Sequence, residues 1–149
     1  MGHSGASLRQ EVVRVPLIVR YPARVPAATR ITRPVSLRQI PATVTSLLRL
    51  RQAVPYHHAS LLQADGTEEP VLTEIGANYA VIWAGWHLFV PSKGPVELYA
   101  LQNDPAQQTN LAGRPETAEI EARLRAQLAR LAPESAKPPV PGPRYESDR

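Results

Sequence analysis

Few side chains in this chain of 149 residues can do chemistry, and their spacing limits what that chemistry is. No cysteine is present, so thiolate nucleophiles, thiolate metal sites and disulfides are excluded. His57 and His58 are adjacent, yet no Asp, Glu or further His stands near them at ligand spacing. Zinc requires three or four converging ligands, so this pair reads as part of a surface loop and no metal site is expected. Trp83 and Trp86 flank a tight turn, where indole rings can stack on a sugar or cover a sheet. Glu74 closes a short apolar run without a catalytic partner in sequence, and Glu11 and Arg14 are expected to pair locally rather than touch a substrate.

The stretch with the most internal pattern is residues 94–112, GPVELYALQNDPAQQTNLA. An apolar run stops on Asn103-Asp104-Pro105, because proline cannot continue a ladder and Asn and Asp form side-chain turns. Apolar character returns at Leu111, placed to enter a core ahead of a helix. Locally this is a strand–loop–helix connector. Tyr99 and Leu101 should face one side of the strand and Leu98 and Ala100 the other. Asp104 should accept from backbone amides in the turn, and Asn110 should tie the loop exit to the helix start.

Around these residues the elements are legible from periodicity. Residues 15–19, VPLIV, form a β-rich run that reads as a buried, parallel strand with Pro16 near its start. Residues 36–50 place Leu37, Ile40, Val44, Leu47 and Leu48 at helical spacing, with Pro41 marking a short turn before the main helix. Residues 51–70 show no period and read as a loop. Short strands follow at 71–75, 78–83, 86–90 and 96–99, the middle two joined by Ala84-Gly85 as a hairpin, and the last three making an antiparallel sheet. In residues 114–131 Ile120, Leu124, Leu128 and Leu131 make one helical stripe, with Glu early and Arg late as the helix dipole prefers. The proline-rich tail is too polar to pack and should be disordered.

Charge bears on partners. The formal net charge is +4, but fifteen arginines are scattered from Arg9 to Arg149 and no basic run is interleaved with aromatics. A nucleic-acid interface needs clustering on one face, so none is expected. No run of about 18 apolar residues exists, so no membrane span is expected either.

The order of these pieces resembles the C-terminal part of a sulfatase of the alkaline-phosphatase-like superfamily. The likeness runs over residues 5–132 and is carried by RVPLIVRYP, VSLRQIPATVTSLLRL, PVLTEI, the Trp-rich hairpin, ELYALQNDPAQQTNLA and the terminal amphipathic helix. Glu97, Leu98, Tyr99, Leu101, Asp104, Pro105, Asn110 and Leu111 stand where the family's closing motif places them, with Ala100 replacing its usual acidic residue. The resemblance implies an α/β fold with a core strand and helix, then a small antiparallel sheet packed on a C-terminal helix. It divides the chain into 1–75 as a remnant of the core domain, 76–132 as the sheet–helix subdomain and 133–149 as the tail.

It also implies a parent activity, sulfate ester hydrolysis, using a formylglycine and a divalent cation, calcium. The formylglycine arises from Cys or Ser in a Cys/Ser-x-Pro-x-Arg motif, which this chain lacks, and the family's Asp-His or Asp-Asn metal pair is missing too. Without an activated nucleophile and a cation the chain alone has no route to hydrolysis, so no catalytic residue and no cofactor are expected in it. Relatives carry His-Gly-x-Ser-Leu ahead of the first strand; Gly5, Ala6, Ser7 and Leu8 fit, while Ser4 takes the His place and His3 lies one position off. His3 is therefore the candidate substrate contact. The chain reads as starting part-way through the ancestral domain, so its expected partners are the N-terminal catalytic portion and, in the parent, a sulfated small molecule or glycan. An uncovered core strand also predicts self-association. The alternative is a non-catalytic module that binds a protein or a polyanionic glycan through its arginines.

Overall fold

A computed structural model describes residues 7–51, 58–62 and 68–133. Helix α1 (Gln10–Val13) is a single turn, α2 is Ile40–Leu48, and α3 is Ala118–Leu131. Between α2 and α3 lie β1 (Val71–Ile75), β2 (Asn78–Trp83), β3 (Trp86–Val90) and β4 (Glu97–Ala100), a four-stranded antiparallel sheet in sequence order. The mixed α/β character and the small antiparallel sheet packed on a C-terminal helix agree with expectation.

The sheet has two unlike faces because side chains alternate along each strand. Val81, Leu88 and Leu98 meet Leu124, Leu128 and Ala132 of the α3 segment, and all six are buried. All four expected stripe residues keep the α3 face: Leu124 and Leu128 are buried, while Ile120 and Leu131 flank the cluster. The opposite face carries Ala80, His87, Phe89, Glu97 and Tyr99. There Leu8 and Val13 pack on Ala80 and Phe89 as a second, smaller cluster. The β2–β3 hairpin turns on Ala84 and Gly85 at φ 52° and 76°. Both central residues of the tightest hairpin turn need positive φ, which explains the glycine and makes the alanine unusual.

Three expectations change. Residues 15–19 are not a buried strand: they form no regular element and lie outside the sheet, with Val15 52% and Ile18 89% exposed. A parallel interior strand needs partners on both sides, and the antiparallel sheet has no internal place for it. Secondly, β1 pairs with β2 from Val71↔Ile82 to Ile75↔Asn78, so four strands share the sheet rather than three. The boundary at 75/76 would cut a two-residue hairpin, so the sheet–helix unit starts ahead of Val71.

The third change concerns α2. A turn of 3₁₀ helix at Leu37–Gln39 precedes the helix, as Pro41 implied, and Ser36 with Gln39 forms a capping box. The buried face, however, is Gln39, Ala42, Thr43 and Leu47, while Leu37, Val44 and Leu48 stay exposed. Polar contacts set that orientation. Thr43 Oγ1 donates to Gln39 O at 2.7 Å and accepts from Leu61 N at 3.0 Å, and Gln39 Nε2 donates to Ala59 O at 3.3 Å. The expected tail disorder falls outside the described residues beyond Pro133.

Candidate functional site

The expected candidates do not converge. His3 and His57 lie outside the described residues. His58 lines a cleft of about 20 Å³ with Arg33, Arg38 and Glu69, room for about one water. Glu74 pairs with Arg38 at 3.0 Å on the surface, and among the described residues no ion pair joins Glu11 to Arg14. Trp83 and Trp86 face each other across the hairpin and pack against the α3 core, with Trp83 Nε1 donating to Glu68 O at 3.1 Å. They cover the sheet. Among the described residues no three His, Cys, Asp or Glu side chains group as a metal would require, and no helix is long and apolar enough to cross a membrane.

The closing stretch is where designated residues do meet. Asp104 accepts from Gln108 N at 3.0 Å and Thr109 N at 2.8 Å, as the turn chemistry required. Those amides, Gln108 first, hold its carboxyl below the usual range. Asn110 does more than tie the loop to the helix. Its Oδ1 accepts from Leu98 N at 3.0 Å and Ala112 N at 2.9 Å, and its Nδ2 donates to Val96 O at 3.0 Å. Leu111 N then donates to Leu98 O at 2.9 Å, and Asn103 N and Asp104 N donate to Ala100 O. Leu98 N, Leu98 O and Ala100 O on the outward side of β4 are thus occupied by its own downstream loop, which covers that edge of the sheet.

On the other face lies a polar network that the sequence did not disclose. His87 is fully buried on β3, directly across from Tyr99. Its Nδ1 meets Gln107 Nε2, and Gln107 Oε1 accepts from the backbone N of Gln10 at 2.6 Å. That backbone N–H can only donate, so it fixes which end of the Gln107 amide is oxygen. The amide nitrogen therefore donates to Nδ1, and the single imidazole proton sits on Nε2, which has no hydrogen-bond partner. Burial is the main reason His87 is lowered to about 4. Beside it Tyr99 Oη donates to Glu97 Oε2 at 2.6 Å, and the same oxygen accepts from Arg9 Nε at 3.1 Å. The Arg9 guanidinium lies 5.6 Å from the Tyr99 ring centre. Burial, then the bond to Glu97, pushes the Tyr99 phenol up to about 12.

This network holds; it does not react. The imidazole lone pair is occupied and its N–H is buried, so neither nitrogen can serve as a base toward an outside molecule. Its effect is to fasten residues 8–13 across the sheet, with Leu8 supplying the apolar contact. Nothing in WHLFV marks His87 as paired, because its partners come from residues 10 and 107, far apart in the chain. No protein-family model and no curated protein matches the chain.

Proposed function

We propose that the chain is the C-terminal portion of a sulfatase-type hydrolase, with sulfate ester hydrolysis as the parent activity. It supplies scaffold, and the nucleophile and divalent cation belong to the N-terminal catalytic portion. The observation that carries this reading is the meeting of the two most motif-like stretches. The lead-in to RVPLIVRYP, through Arg9 and Gln10, is fastened to ELYALQNDPAQQTNL through Glu97 and Gln107. Glu97 and Tyr99 are therefore explained by what they hold, and Leu98, Asp104, Asn110 and Leu111 by closing β4. The exposed Leu37, Val44 and Leu48 of the α2 region give a second support, since they would be covered by further core. His3, six residues before Arg9, is the substrate contact in this reading and lies outside the described residues.

Two assays test this. The pure chain with calcium should not hydrolyse 4-nitrophenyl sulfate above background, because it lacks a nucleophile. Fused behind a catalytic portion carrying Cys/Ser-x-Pro-x-Arg, it should yield turnover that the catalytic portion alone does not show. Turnover by the pure chain, lost on a substitution within it, would overturn the proposal. An unrescued fusion together with salt-sensitive binding to heparin would favour the glycan-binding module instead.

A further inference from the structure

Residues 8–13 are fastened to the sheet by apolar contacts and by a polar relay that one proton can reverse. Leu8 and Val13 pack on Ala80 and Phe89, Arg9 pairs with Glu97, and Gln10 N donates to Gln107 Oε1. Gln107 is the relay. Its backbone stands at φ 54° with its N–H donating to Asp104 O at 3.1 Å, so the side-chain amide is the part that can turn. That amide offers one oxygen and one NH2 group. Neutral His87 and the Gln10 N–H use them in the only compatible order.

We propose that a proton taken up at His87 Nδ1 unlatches residues 8–13 from the sheet and leaves the α3 core closed. The imidazole already carries hydrogen on Nε2, which has no partner, so a second proton can enter only at Nδ1, where the Gln107 amide donates. An imidazolium presents N–H on both sides. Its Nδ1–H then needs the amide oxygen, and such a charge-assisted bond is about twice as strong as a neutral one. Turning the amide to supply that oxygen points its NH2 at the Gln10 N–H, donor against donor. Among the described residues Gln10 N has no other acceptor. One bond is exchanged for the other.

The charges around the imidazole push the same way. β4 brings Glu97 and Tyr99, and the latched segment brings Arg9. β2 sets the aliphatic Ile82 opposite His87, Glu11 of α1 is exposed, and Asp104, on the loop with Gln107, is engaged by Gln108 N and Thr109 N. Glu97 favours the imidazolium and belongs to the sheet, whereas Arg9 opposes it and belongs to the departing segment. Burial holds His87 neutral down to about 4. The latch is therefore shut near neutrality and opens in acid, baring Ala80 and Phe89. Val81, Leu88, Leu98, Leu124 and Leu128 lie on the other face and carry no titratable group. This inference rests on contacts within the chain and is independent of the hydrolase reading.

NMR titration of the full chain reads the latch residue by residue, descending from about pH 6.5, the ordinary imidazole value, to about pH 3. The Gln10 amide should lose exchange protection about tenfold, as for one net hydrogen bond, at the same midpoint as the His87 ring. The amides of Leu88 and Leu124 should keep theirs. Gln107→Glu is the sharper variant, because a carboxylate has acceptors for both partners. In it His87 should titrate about one pH unit higher or more, with Gln10 still protected at that midpoint. Gln10 unmoved while His87 titrates, Gln10 following a carboxyl midpoint instead, or Leu124 losing protection together with it would each overturn the proposal. So would release of Gln10 at the His87 midpoint in Gln107→Glu.

Discussion

Residues 68–133 and residues 7–51 solve the problem of burial in opposite ways. The first region pairs apolar with apolar: Val81, Leu88 and Leu98 close onto Leu124 and Leu128, and the β4 edge is sealed by residues 110–111. The second buries polar side chains and exposes apolar ones. In α2 and the turn before it the inward residues include Gln39 and Thr43, while Val44 and Leu48 point out. Charge divides the same way. Residues 7–51 hold nine arginines and one carboxylate, Glu11, whereas residues 68–133 hold eight carboxylates against five cations. A region that leaves its aliphatic side chains in water is finished on one side only. The contrast separates a unit that can hold its own shape from a segment whose remaining surface suits a cover.

The largest effect that would test this contrast is core truncation. Leu128→Ala should cost about 2–5 kcal/mol in urea unfolding, as buried leucines do. A loss below 1 kcal/mol would mean the α3 face is not the core.

The next concerns His87. Its value is lowered to about 4 in the folded chain against 6.5 when unfolded, chiefly by burial. The unfolded state then binds more protons between those values, so stability is lost as pH falls through that window. The full loss is about 3 kcal/mol. His87→Phe should flatten that part of the stability–pH profile; an unchanged slope would show that the imidazole is not buried neutral.

A smaller change is expected at the sealed edge. Asn110→Ala should cost about 1 kcal/mol net for its exchanged backbone bonds, with faster hydrogen exchange at Leu98 N. Asp104→Ala should lower the melting temperature by less than Asn110→Ala, because its carboxylate is exposed to water on one side of the turn. The smallest effect belongs to the other region. Leu48 is 52% exposed, so Leu48→Ala should stay within about 0.5 kcal/mol. A cost comparable to Leu128→Ala would erase the difference between the two regions.

What could be read from sequence follows the range of the interactions. The Trp83–Trp86 hairpin, α3 and the Asp104 turn are set by neighbours a few residues apart, and each has a local signal. The α2 face is not legible in the sequence, because apolar periodicity says which residues share a stripe, not whether anything covers it. Here Thr43 and Gln39 find Leu61 and Ala59, and those bonds outweigh the stripe. Residues 15–19 read as a buried strand on composition alone, yet a strand also requires a partner, which composition cannot supply. β1 joins the sheet through a two-residue loop at Gly76-Ala77, and that dipeptide is a weaker turn signal than Ala84-Gly85 between two tryptophans. The His87 network depends on contacts between residues 10, 87 and 107, and no spacing rule reaches that far.

The bonds that Asn110 and Leu111 make to β4 also limit any growth of the sheet. With that border occupied, a fibre cannot lengthen by laying β4 of one molecule on β1 of the next. An aggregate of this chain that displays a continuous cross-β repeat would therefore need residues 110–111 to detach first. The side-chain amide of Asn110 is in that sense a guard against polymerisation, acting from a surface loop.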